Sequence, residues 1–257
     1  MTKYAWMFAF VAAVLSTGLG AQAGPLRVFI RAGEKTHGPA GNGEHDYPTF
    51  LKEWTTILTE GGAVVQGALR FPTAEELAKT DVLIIHSGDG GTCIPAERAL
   101  LDTYTKRGGG LVVLHDGMCS NDAAWFSTIA GAAKQHGEAN WARGVLKMQI
   151  ADNAHPITKG LEDFEFNDEA FFMLRKTPEM HPLATTEIPG KGEVVPQAWV
   201  YEKTQPGGTP FRAFVSMQAH YFKNFSQPTY RTMLLRGIAW AGKRDVQALV
   251  QKAVSSK

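Results

Sequence analysis

Near-continuous apolar runs are what most restrict this chain. LRVFIRA (26–32), DVLIIHSG (81–88) and GLVVLHDG (110–117) carry Val, Ile and Leu at consecutive rather than alternate positions. A strand that is apolar on both faces must be covered on both, the condition of a parallel sheet between helices. The intervening segments fit that picture. YPTFLKEWTTILTEGG (47–62) has a helical period and a Gly61-Gly62 stop, and IPAERALLDTYTKRGGG (94–110) has Pro95 at its start and glycines at its end. AVVQGAL (63–69) reads as another strand. The expected first half is a doubly wound α/β unit, mostly parallel, with helices on both faces.

The second half is less regular. RGVLKMQIA, FEFNDEAFFML, VVPQAWVYE and FRAFVSMQAH read as strands, some of them antiparallel. PGKGEVVP and EKTQPGGTP read as hairpin loops, and TYRTMLLRGIAWAG as a helix. A helical tail is expected over about 243–257. There is no internal repeat and no low-complexity linker.

Residues 1–23 are expected to be a cleavable signal peptide. Lys3 precedes an apolar run, and Ala21-Gln22-Ala23 fits the small-x-small cleavage rule. That predicts a periplasmic or secreted protein with no membrane span after signal removal. Removing 23 of 257 residues leaves 234, a length suited to one α/β domain, 24–257. Lys3 leaves with the signal, so 25 basic residues face 25 acidic ones. No basic run stands out, so no nucleic acid partner is expected. The expected ligand is a small molecule, with no nucleotide cofactor.

Parallel sheets collect ligands outside the carboxyl ends of their strands. His37 follows the first strand, His86 ends the third, and His115 ends the fourth, followed by Asp116. His220 ends FVSMQAH in the same way. Neutral imidazole binds metals and titrates near neutral pH, so these residues mark the candidate site.

The motifs FIRAGEKTHGP…GEHDY, GGGLVVLHDG, WFSTIAGAAKQHG, HPITKGLEDFEFNDEAFF, QAWVYE, FVSMQAHYFKNF and LRGIAWAG, in this order, resemble ThuA-like proteins of trehalose utilisation. The resemblance covers nearly the whole chain after residue 23. It implies the class I glutamine amidotransferase-like fold, a flavodoxin-like α/β sandwich, and a role in sugar catabolism. Its recurring polar positions match His37, His45, His115, His136, Glu169 and His220, while His155 reads as structural. No cysteine stands in register at the turn after GLVVL, and no G-x-S-x-G elbow is present, so glutamine amidotransfer is not expected.

The leading expectation is an enzyme acting on a saccharide or keto-sugar by proton transfer. His115, Glu169, His45 and His220 are the catalytic candidates; His37, His136, Asp116, Trp199 and Tyr221 are the substrate-binding ones. One divalent metal held by a subset of His37, His45, His115, His136, Glu169 and His220 would supply an electrophile. A non-catalytic saccharide-binding module, stacking sugars on Trp125, Trp141 or Trp199, is an alternative, as is a metal-dependent hydrolase. Finally, Cys93 and Cys119 lie in loops leaving adjacent strands, about 4.8 Å apart, so an exported chain is expected to join them in a disulfide. The competing reading makes Cys119 a free thiol near His115.

Overall fold

The apolar runs of the first half are strands buried on both faces. The computed structural model describes residues 24–250. In chain order the elements are β1 (Arg27–Ala32), α1 (Tyr47–Glu60), β2 (Val64–Ala68), α2 (Ala74–Ala78), β3 (Val82–His86), α3 (Pro95–Lys106), β4 (Gly110–Leu114), β5 (Cys119–Ser120), α4 (Ala123–Ala130), β6 (Ala132–Gln135), β7 (Trp141–Ile150), β8 (Phe164–Phe171), β9 (Arg175–Lys176), β10 (His181–Glu187), β11 (Val194–Lys203), β12 (Phe211–Ser216) and α5 (Pro228–Ala241). The expected signal segment, 1–23, lies outside the described residues, and so does the end of the expected helical tail. Residues 246–249 form turns rather than a helix.

A nine-stranded sheet runs β2-β1-β3-β4-β12-β11-β10-β7-β8. β2, β1, β3, β4 and β12 are mutually parallel, and β11, β10, β7 and β8 continue it antiparallel. The expected α/β class, parallel in the first half with some antiparallel strands in the second, is the observed one, and β12 of the second half joins the parallel part beside β4. Alternate residues of one strand feed different cores. Val82, Ile84, Val112 and Leu114 pack into one cluster with Phe50 and Trp54 of α1 and Met233 and Leu234 of α5. Leu83, Ile85, Leu111 and Val113 pack into another with Leu101 of α3 and Phe126 of α4. This two-sided cover is why the sequence runs are continuous.

Helix ends follow local chemistry. Asp46 caps α1 by accepting from the Thr49 backbone N–H, and Asp122 caps α4 through Trp125. The elements α2, α4 and β10 go beyond the sequence expectation. The signal for α2 was present: Thr73 and Glu76 form a capping box. β10 was concealed by Pro182 and by the register shifts that follow it against β11.

Two features shape the carboxyl edge. β7 meets β10 only through Gln149 and Ile150, whereas it pairs with β8 from Trp141 to Met148. Trp141, Arg143, Glu169 and Phe171 of this hairpin line one cleft with Asp89 and Asp116 from the strand ends of the parallel half. A small sheet of β5, β6 and β9 completes the wall.

The expected Cys93–Cys119 disulfide is not formed; both are free buried thiols. β3 and β4 are neighbours, but Cys119 does not follow β4 directly. A 3-10 turn over His115–Met118 intervenes, and the Cys119 thiol donates to Asp116 Oδ1 at 3.6 Å. Cys93 instead lies 4.0 Å from the guanidinium of Arg31 on β1.

Trp199 is also relocated. It is fully buried on β11, its Nε1–H donating to the Ala130 carbonyl at 2.8 Å, so it offers no face to a sugar. Trp199→Phe removes that bond, leaves a buried carbonyl unpaired and opens a small void. Urea denaturation should read a loss of about 1–3 kcal/mol.

Candidate active site and metal centre

The loop between β1 and α1 carries His37 and His45, and five hydrogen bonds hold it in place. Lys35 Nζ donates to the carbonyls of Thr36, His37 and Glu44 (3.1, 2.8 and 2.7 Å). The His45 N–H donates to the His220 carbonyl at 2.9 Å, and the Phe222 N–H to Gly43 at 2.7 Å. The loop is thereby tied to the segment after β12, which runs parallel to β4 and delivers His220 to the same edge as His115.

Four side chains converge there. His45, His115, Glu169 and His220 offer ligand atoms that all lie within 4.8 Å of one another. His45 Nε2 is 3.0 Å from His115 Nε2, and His220 Nδ1 is 3.3 Å from the same atom. Glu169 Oε2 lies 3.7 Å from His115 Nε2 and 3.9 Å from His220 Nδ1. All four residues are buried.

Hydrogen bonds orient the rings. His115 Nδ1 lies 2.8 Å from the Met217 carbonyl, which only accepts, so Nδ1 carries the proton and the Nε2 lone pair faces the cluster. His45 Nδ1 faces Thr36 Oγ1 at 2.9 Å and Asp116 at 3.4 Å, which turns its Nε2 inward. Burial first, then the neighbouring His115, holds His45 far below the ordinary imidazole pKa and His220 at about 3. Neutral imidazoles aimed at one point, with a carboxylate beside them, are a nitrogen-oxygen donor set of the kind that binds a divalent transition metal. A backbone carbonyl on the far nitrogen of a ring is the usual outer support of such a ligand.

Backbone strain concentrates at the same place. Among the described residues, five non-glycine positions with positive φ surround the cluster: His37 (61°), His45 (43°), Asp89 (47°), His115 (49°) and Ala219 (109°). Such conformations persist where surrounding structure enforces them, commonly at functional sites. Gly117 completes the turn after His115, since a Cβ there would lie 2.5 Å from the Ile85 carbonyl oxygen.

The fully buried His115 lies against the other three from inside the protein, and those three, His45, Glu169 and His220, line a cleft of about 410 Å³. His37 stands at its rim, ring centroid 4.1 Å from that of His45. His136 lies on the cleft wall, its Nδ1 2.6 Å from Asp89 Oδ1. Asp116 also lines it, receiving the Tyr47 hydroxyl at 3.4 Å. Tyr221 packs on His220 (4.7 Å between centroids) but is not part of the wall. His86 sits within the core, ringed by Tyr47, Phe50 and Phe225. Asp89, Lys134 and Arg143 enter the wall without having been expected. Asp89 follows β3 and was accessible to the strand-end rule; Lys134 and Arg143 stand on strands whose placement only folding decides.

Asp168 sets two of the ligands. Its fully buried carboxylate accepts from the backbone N–H groups of Glu169 (2.7 Å), Ala219 (3.0 Å) and His220 (3.1 Å) and from Asn224 Nδ2 (2.7 Å). Asp168→Asn should cost roughly 2 to 3 kcal/mol of stability and weaken metal binding about tenfold or more, read by denaturation and metal titration.

Burial, then His115, depresses the His86 pKa from its ordinary value to about 3. Between pH 6.5 and about 3 the unfolded chain therefore binds a proton that the folded one does not, so stability falls as pH falls. His86→Phe should make that decline shallower by up to about 1.4 kcal/mol per pH unit, measured by denaturation across the window.

The comparisons with known proteins agree with this fold. A ThuA-like protein from Parabacteroides merdae superposes with a TM-score of 0.64 at 16% identity, covering 85% of this chain and 90% of its own. One from Bacteroides uniformis gives 0.63 at 18% identity, covering 91% and 100%. At these identities the likeness establishes the fold. None of the curated proteins compared matches the chain. The family profile ThuA, described as trehalose utilisation, matches residues 40–241, a span containing the four clustered ligands, and the chain belongs to that family.

Proposed function

We propose that this protein is a metal-assisted enzyme acting on a saccharide or keto-sugar by histidine and carboxylate proton chemistry. The observation that carries the reading is the buried set of His45, His115, Glu169 and His220, three of which (His45, Glu169 and His220) line an open cleft. The family's description supports a carbohydrate as the substrate class.

His45, His115 and His220 would hold the metal through their inward nitrogens and Glu169 through Oε2. Arg143 Nε donates to Glu169 Oε1 at 3.1 Å, which keeps the other oxygen turned toward the rings. When bound, a divalent ion supplies a Lewis acid for a sugar carbonyl or hydroxyl oxygen. The protein's own contribution is to bind and orient the sugar and to move its proton. Asp116 and His37 lie beside His45 on the same wall. The His136–Asp89 pair supplies a second proton-handling group, with Asp89 orienting the ring through Nδ1. Cys119 is not a nucleophile in this scheme: burial, then the neighbouring Asp116, pushes its thiol well above the ordinary pKa. Export to the periplasm or medium is part of the proposal and rests on residues 1–23 alone.

Elemental analysis of protein purified without chelator is expected to find about one divalent metal per chain, and His115→Ala to lose it. Turnover in a screen of native and 3-keto disaccharides should fall on the order of a hundredfold or more in that variant. Metal-free protein whose activity resists chelators would sink the metal assignment; sugar binding unaccompanied by turnover would make the protein a binding module.

A further inference from the structure

Among the described residues, Lys134 is the cation of the cleft that no carboxylate takes up. It stands on β6 opposite Cys119 of β5 and is 8% exposed. Among the described residues, its Nζ makes one hydrogen bond, a long 3.4 Å contact to the Glu138 carbonyl. Its Nζ lies 5.2 Å from the centroid of Phe171, and the Phe171 ring stacks on His115 at 5.1 Å. The neighbouring cations differ. Arg143 is bound to Glu169, and Arg175 pairs with Glu138 at 2.6 Å. An ammonium held on the cleft wall with a single long protein hydrogen bond keeps donors that a ligand oxygen entering the cleft can take.

The chemistry of that oxygen follows from the donor. A sugar hydroxyl both donates and accepts, so a neutral side chain serves it as well. An ammonium only donates, and it discriminates in favour of an oxygen that only accepts. Trp141, half exposed on the wall of the same cleft, offers a surface to the apolar face of a pyranose. We propose that Lys134 is a specificity-determining residue that binds an acceptor-only oxygen of the sugar, a ring ketone or a carboxylate. The inference rests on the saccharide reading above and adds what distinguishes the substrate from its parent sugar.

Calorimetric titration of the full protein as purified tests it, with methyl glucoside, its 3-keto derivative and methyl glucuronoside as ligands. Wild type is expected to bind one of the last two about ten- to a hundredfold tighter than the parent. Lys134→Met should abolish that preference and leave the affinity for the parent unchanged. Preference for the keto derivative identifies a carbonyl; preference for the glucuronoside identifies a carboxylate. The variant's unfolding midpoint is expected at or above that of wild type, because an under-partnered buried charge has been removed. Equal wild-type affinity for all three, or a preference that survives Lys134→Met, would overturn the Lys134 assignment alone. Binding of none of them would overturn the saccharide reading and this inference with it. His115→Ala, read in the same titrations, separates either result from loss of the metal.

Discussion

The buried carboxylate of Asp168 is the contact on which the site depends. Its four donors come from its own neighbour on β8 and from the segment that follows β12. One group therefore sets the backbone of Glu169 against that of His220, two ligands far apart in sequence. It also holds Ala219 at a φ of 109°, a conformation that an unsupported alanine would leave. Burial lifts the Asp168 pKa, while His115 and the donors act against that rise. The carboxylate and the imidazole cluster are thus electrostatically interdependent.

The cluster's suitability as a metal donor set, on which the proposed function rests, has the same origin as its resistance to protons. Burial and mutual repulsion keep His45 and His220 neutral, so their lone pairs remain available. A donor set assembled in water would gain protons as pH fell and lose its affinity. Here the tertiary structure suppresses that competition before any ligand arrives.

The two halves of the sheet contribute different chemistry. The parallel half supplies His45, Asp89, His115 and Asp116 from loops at its carboxyl edge, the ordinary location in open α/β sheets. The β7–β8 hairpin brings Arg143 and Glu169 from the antiparallel end because most of its length is free of β10. The small sheet adds Lys134 and, just beyond β6, His136. A cleft built from three units brings a histidine–glutamate cluster, the His136–Asp89 pair and the cations Lys134 and Arg143 to one place.

Sequence alone determined the parallel half. LRVFIRA, DVLIIHSG and GLVVLHDG could be satisfied only between two layers of helices, and their order placed His115 at a strand end. His220 was legible through the same rule, and the family motifs added His45, His136 and Glu169. The tertiary structure decided everything that depends on which side of a strand or turn a group faces. It left Cys93 and Cys119 apart because a 3-10 turn redirects the second thiol, and it sank Trp199 into the core because β11 is covered on both faces. It drew Arg143 and Lys134 into the cleft because hairpin curvature and small-sheet pairing are set by long-range contacts. Local residue patterns encode burial; the convergence of four side chains on one point is a property of packing, which no local pattern contains.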